Sequence, residues 1–218
     1  MHNAGEGWAT PQQERGETTR KAILQAALQL FLRQGYHATT IRQIAGAAGI
    51  VPGAVYNHFT GKEAIYLALL HEAGVYAAIG RALAAASGDS VETLMRDGAY
   101  RLLAALKAHS EVMPLLFVDV LEFETRNVVA LAAEALPHIV SFFSRLAALG
   151  AETGELKPVR PDVLARAFLG LFVSYFFTVR FFSRVVGQFP GLDVNADVVD
   201  DFLNILAHGV LRSADNKE

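Results

Sequence analysis

The stretch from Thr40 to Phe59 constrains the fold most, because Gly49 and Pro52 divide it into two helices too short to stand alone. Isolated helices below about 12–15 residues are marginal in water, so each must bury its apolar side on something else. Ile41, Ile44, Ala45 and Ala48 form that side in the first short helix, and Val55 with Phe59 at i, i+4 in the second. The partner lies just upstream, where Ile23, Ala26, Ala27, Leu30 and Phe31 make one stripe on a helix that stops at Gly35. Helix, short helix, the turn Gly49-Ile50-Val51-Pro52 and a second short helix make a helix-turn-helix on a supporting helix. Gly49 suits a left-handed exit from one helix and Pro52 the first turn of the next. Val55 and Phe59 facing inward leave Gly53, Tyr56, Asn57 and Thr60 outward, an aromatic hydroxyl and an amide on a face fit for a groove.

Helical periodicity continues nearly throughout, and no run of period-two alternation interrupts it, so the fold class expected is all-α. Residues 1–17, rich in Gly, Glu and Gln, read as a flexible tail. Residues 18–64 read as a three-helix helix-turn-helix DNA-binding domain, and 65–218 as a C-terminal helical domain. Thr40 to Gln43 and Thr60 to Glu63 both have the capping-box form. A long helix is predicted from Thr60 to about Ala86, carrying Ile65, Leu69 and Leu70. Breaks follow at Ser87-Gly88-Asp89, at Thr125-Arg126-Asn127, from Gly150 to Pro161 and from Gly187 to Asn195, and the last helix spans about Ala196 to Arg212.

Charge is distributed unevenly. The net value of −3 conceals a block from Arg15 to Lys62 in which Arg15, Arg20, Lys21, Arg33, Arg42 and Lys62 face Glu17 alone, a balance of +5. A basic block on an acidic body points to phosphate contact. At 52% hydrophobic residues a membrane span must be considered. The longest greasy run, Ala167 to Val179 between Arg166 and Arg180, contains Ser174 and Tyr175 and falls short of the ~20 residues that cross a bilayer. Met1 to Glu17 holds no apolar run, so no secretory signal is expected there. With no cysteine, cytoplasm is the simpler location. Neither His-Glu-x-x-His nor a phosphate loop occurs, His37, His58, His71, His109, His138 and His208 are dispersed, and Glu122 and Glu124 at i, i+2 do not face one another. No enzymatic activity, metal or cofactor is expected.

The order Thr39-Thr40-Ile41-Arg42-Gln43-Ile44-Ala45, Ala48-Gly49-Ile50, Gly53-Ala54-Val55-Tyr56-Asn57-His58-Phe59 and Lys62-Glu63 resembles the TetR family of transcriptional regulators over about the first third of the chain. The resemblance implies that Thr40 opens the second helix against a DNA phosphate, with Thr39 beside it among the DNA-binding residues, and that Tyr56, His58 and Lys62 reach the DNA backbone. It also implies that Gly53, Ala54 and Asn57 meet base edges, with Arg42 reaching from the second helix. An asparagine amide can bond adenine N6 and N7 together. Val51 and Ala54 stand where family members often carry a hydroxyl, which removes an N-cap and a polar contact.

The resemblance further implies a homodimer on a palindromic operator and a small-molecule pocket in each C-terminal domain. Twelve of the fourteen phenylalanines lie between Phe117 and Phe202, on more than one helix face, as expected of helices buried on all sides. Phe168, Leu171, Phe172, Tyr175, Val179, Val198, Phe202, Ile205 and Gly209 are the expected dimer seam. Phe117, Glu122, Phe123, Phe142, Phe143, Phe176 and Arg180 are the expected lining for a hydrophobic effector. Together these imply a ligand-responsive repressor.

Overall fold

The computed structural model describes residues 11–179, 185, 188 and 199–210. Ten helices are formed among them: α1 Pro11–Gln34, α2 Ile41–Ala47, α3 Pro52–Val55, α4 Lys62–Ala73, α5 Val75–Ala84, α6 Val91–Ala108, α7 Met113–Glu122, α8 Arg126–Thr153, α9 Pro161–Phe177 and α10 Val199–Val210. No β-strand occurs among the described residues. The chain divides into two compact units. One holds Met1–Ala73 with Val112–Asn127, the other Gly74–Glu111 with Val128–Glu218.

In the first unit, Ile23, Ala27, Leu30 and Phe31 of α1 are buried against Ile44, Ala45, Val55 and Phe59, as the periodicity predicts. Two boundaries differ. α1 begins at Pro11, so part of the expected tail is helical; Thr18 and Thr19 bond their hydroxyls to the carbonyls of Glu14 and Arg15 within it. The unit also reaches past residue 64, because Ile65, Tyr66, Leu69 and Leu70 of α4 bury in the same core. Gly74, left-handed at φ 58°, then ends α4, so the predicted long helix is two helices.

α7 completes this unit. The Tyr66 hydroxyl donates to the Leu115 carbonyl at 2.8 Å in the interior. Phe123 stacks on Tyr66 at 5.0 Å between centroids, and Tyr36 meets both rings edge-on. The fully buried carboxylate of Asp119 accepts from Asn127 Nδ2 at 2.8 Å. Such a group is costly to bury without partners.

In the second unit α6 is the central element. Its start is a capping box the sequence reading missed: Thr93 N–H donates to Ser90 Oγ at 3.1 Å and Ser90 N–H to Thr93 Oγ1 at 3.0 Å. Leu94, Met95, Leu102, Leu103 and Leu106 are buried. Phe142 of α8 seats its ring on Gly98, and a chain of rings continues through Phe143 and Phe168 to Phe172. α8 is the helix whose length and hydropathy, over Val129–Thr153, would suffice to cross a membrane. Here it buries Ala135, Phe142, Phe143 and Leu146 in this core. From the same helix Arg145 donates to the carbonyls of Ala84 and Ala86. α10 joins α6 through Asp200, which pairs with Arg96 and accepts from the Tyr100 hydroxyl at 3.2 Å.

Candidate nucleic-acid interface

α2 opens on Thr40, whose backbone is extended (φ −116°, ψ 154°). Gln43 N–H donates to Thr40 Oγ1 at 3.2 Å and Thr40 N–H to Gln43 Oε1 at 2.9 Å, the predicted capping box. At the other end Gly49 takes φ +72°. Gly49 N–H bonds the Gly46 carbonyl and Ile50 N–H the Ala45 carbonyl, the paired pattern of a Schellman C-cap. This pattern sends the chain sharply into α3.

α3 is a single turn headed by Pro52, and Val51 at its N-cap supplies no side-chain bond. The missing hydroxyl leaves Pro52's fixed φ to set the start. Beyond Val55 the chain continues in i→i+3 bonds from Tyr56, Asn57 and His58 to Gly53, Ala54 and Val55. Inward, Val55 and Phe59 are buried; outward, Tyr56 is 60% exposed and Val51 70%. Gly53 and Asn57 share the open face, Ala54 and His58 are half-buried, and the space a Cβ on Gly53 would enter is empty. Arg42 is exposed on α2 and has no ion-pair partner among the described residues.

Three candidates sit otherwise than expected. Thr39 is 1% exposed, its hydroxyl donating to the Gly35 carbonyl at 2.8 Å and accepting from Gln34 Nε2 at 3.3 Å, so it braces the α1–α2 connection and is closed to a DNA phosphate. Thr60 lies outside α4, whose first bond runs from Ile65 N–H to the Gly61 carbonyl, so no capping box forms there. Lys62 is folded back: its Nζ donates to the Tyr36 carbonyl at 2.7 Å and lies 4.2 Å from the centre of the Tyr36 ring. Burial pulls its ammonium below the ordinary lysine value, opposed by the Glu122 charge. Burial likewise raises the Tyr36 phenol, aided by Glu63 and Glu122. Of the remaining basic block, Arg20 pairs with Glu72 and lies over the Phe59 ring. Sequence reasoning missed Tyr36, His37 and the His37–Glu122 pair, because their partners are far along the chain and no periodicity announces them.

The expected effector residues fall in both units. Glu122 and Phe123 belong to the first unit, engaged with His37, and with Tyr36 and Tyr66, respectively. Phe142, Phe143 and Phe176 are buried in the second. Arg180 and the Phe117 side chain lie outside the described residues. In the expected seam, Phe168 and Phe172 are fully buried in their own chain's core, against Phe142, Phe143 and Phe202, and are not available to a second subunit. Leu171, Tyr175, Val179 and Phe202 are half-buried, Ile205 and Gly209 are exposed, and Val198 lies outside the described residues.

The described residues thus form a helix-turn-helix braced by α1 and α4, followed by further helices. Residues 23–69 match the family model described as bacterial regulatory proteins, tetR family. The chain is 48% identical over 54 residues to the HTH-type transcriptional regulator SrpR of Pseudomonas putida, covering 25% of each protein. Over 46 residues it is 48% identical to the HTH-type transcriptional repressor KstR2 of Rhodococcus jostii, covering 21% of this chain and 22% of the relative. These matches span only about a quarter of the relatives' length. The fold matches further: the ketosteroid transcriptional regulator KstR2 of Mycobacterium tuberculosis aligns with a TM-score of 0.63 at 21% identity, over 89% of this chain and 95% of that one. Over residues 23–69 the chain is thus similar to the tetR family of bacterial regulatory proteins, and over most of its length it shares the fold of a solved regulator.

Proposed function

We propose that this protein is a cytoplasmic transcriptional repressor, a homodimer that binds a palindromic operator and is released by a small, largely apolar effector. The observation that carries the reading is the exposed face of α3 and its continuation: Gly53, Tyr56 and Asn57 stand outward on a turn whose inner side, Val55 and Phe59, is buried. Asn57 is the base-reading candidate, with Gly53 and Ala54 allowing close approach to base edges. Tyr56, His58, Thr40 and Arg42 supply phosphate contacts. One such face per subunit requires two half-sites, hence the palindrome.

The second unit, from Gly74 onward, takes the effector and the second subunit in this reading. The outward sides of α9 and α10 support dimerisation, since Val163 is 45% exposed and Ile205 65%, with Gly170, Ser174 and Gly209 also open. On α9 that seam is rotated around the helix from Phe168 and Phe172, and on α10 it keeps the expected Ile205 and Gly209. The ring-lined interior, Phe142 to Phe176, favours an apolar effector.

The test is a mobility shift of the purified full chain on the palindrome in its own promoter. Affinity should fall steeply with added salt, and Tyr56→Ala should weaken it about tenfold, roughly 1.4 kcal/mol. Native mass spectrometry of the purified protein identifies a co-purified effector, which on addition should release the DNA. Undiminished binding by Tyr56→Ala would remove α3 as the reading element.

A further inference from the structure

We propose that Val51 is a specificity-determining residue: its exposed isopropyl group packs on the C5-methyl of one thymine in each operator half-site. The inference rests on the DNA-binding reading above and adds to it the identity of one base.

The head of α3 presents an apolar tip. From Ile50 to Val55 no side chain carries a polar atom. Val51, Pro52 and Gly53 are nonetheless exposed in succession, Val51 by 70%. The hydroxyl and amide of the outward face come only later, at Tyr56 and Asn57. On an ordinary surface a singly exposed valine needs no explanation. This one stands at the leading end of the second helix of a helix-turn-helix, the end whose residues reach base edges in the major groove. A base edge shows one apolar group there, the thymine C5-methyl, and apolar side chains pair with it.

The local backbone fixes the valine in place. Val51 is the N-cap of α3, extended at φ −77° and ψ 147°, the conformation that a following proline favours. Its carbonyl accepts the Ala54 N–H at 3.0 Å, which closes the first turn. β-Branching restricts χ1, so little rotamer freedom is lost when the group is buried against a base. The space beside it, which a Cβ on Gly53 would enter, is empty. A structural role would bury the side chain or cap the helix with it, and Val51 does neither.

The test compares thymine with deoxyuridine, which differ only in the C5-methyl. A duplex is enriched from a random-sequence pool with the wild-type full chain. Each thymine of one half-site is then replaced in turn by deoxyuridine, and affinities are read by mobility shift. One replacement should weaken wild-type binding about fourfold, as for one buried methyl group. Val51→Ala and Val51→Ser should bind the thymine duplex more weakly and lose that penalty at the same position, keeping the wild-type response at every other. Val51→Ser also supplies the missing N-cap hydroxyl, so its melting temperature should equal or exceed that of the wild type. Recognition and stability then part company, which a structural role for the valine would not produce. An enriched half-site without thymine, or a deoxyuridine penalty unchanged in both variants at every position, overturns the proposal and leaves DNA binding intact. If the wild-type protein enriches no duplex, the DNA-binding reading fails and this proposal with it.

Discussion

Gly98→Ala adds one methyl group to the middle of α6, and two opposing effects decide the outcome. In an exposed helix interior, Ala is more favourable than Gly by about 1 kcal/mol. At Gly98 a Cβ would lie 2.5 Å from Phe142 Cζ and 2.7 Å from Cε2, closer than non-bonded carbon atoms approach. The ring has no room to retreat. Phe142 is 0% exposed, with Phe143 and Phe168 rings at 5.0 and 5.6 Å from its centroid. Overpacking of this kind costs about 1–3 kcal/mol, so strain should exceed the propensity gain and leave a net loss of about 1 kcal/mol. For a chain of this size the melting temperature should fall by about 2–4 °C. Gly16→Ala in α1 is the matched control, because nothing lies within 4 Å of its Cβ position; it should be neutral or stabilise by up to about 1 kcal/mol. Urea unfolding at one fixed protein concentration, with slopes compared, reads both variants. If Gly98→Ala proved as stable as Gly16→Ala, the ring stack would not be the rigid centre of the second unit.

Thr40→Ala removes the hydroxyl from the capping box at α2 and should cost about 1 kcal/mol in urea unfolding, with Thr40→Ser recovering most of it. Asp97 accepts from Arg101 Nε at 2.7 Å and from Ser87 N–H at 2.8 Å. The Arg101 hydrogen bond is the largest cause holding its carboxyl below the ordinary 3.8, with the Ser87 amide adding to it and burial opposing. A depressed carboxyl stabilises the fold above its unfolded value, and that contribution is lost as pH falls from about 4 through the folded value. Asp97→Asn should therefore lower stability at neutral pH and flatten the acid limb of a stability profile below about pH 4; an unchanged limb would show that the pair contributes nothing.

Much of the first unit was legible because its signals are local. The Thr40–Gln43 box, the left-handed Gly49 and Pro52 at the head of α3 each depend on neighbours within a few residues, and the stripe from Ile23 to Phe31 follows the helical period. The same reasoning overreached at Thr60, where the capping pattern is present and the helix starts one residue later. It also ran α4 and α5 together, since Gly74 is tolerated in a helical pattern and only the surrounding packing makes it left-handed.

The faces of the phenylalanine-rich helices were less legible. Phe168 and Phe172 have the spacing of a seam and turn inward to Phe142 and Phe143, while Ile205 and Val163 are left outside. An apolar stripe records that a side is buried, and says nothing of whether the same chain or another buries it.

The amino-acid sequence by itself determined the helices, the helix-turn-helix and the family signature, because hydrogen-bonding periods, caps and turn conformations are settled within a few residues. Only the tertiary structure decided that α4 and α7 complete the first unit, that Thr39 is sealed inside it, and that Lys62 turns to the carbonyls of Tyr36 and His37. Those outcomes depend on pairings such as Lys62 with Tyr36 and Tyr66 with Leu115, between residues distant in the chain. Burial and charge pairing act through space, and no local pattern encodes which distant group arrives.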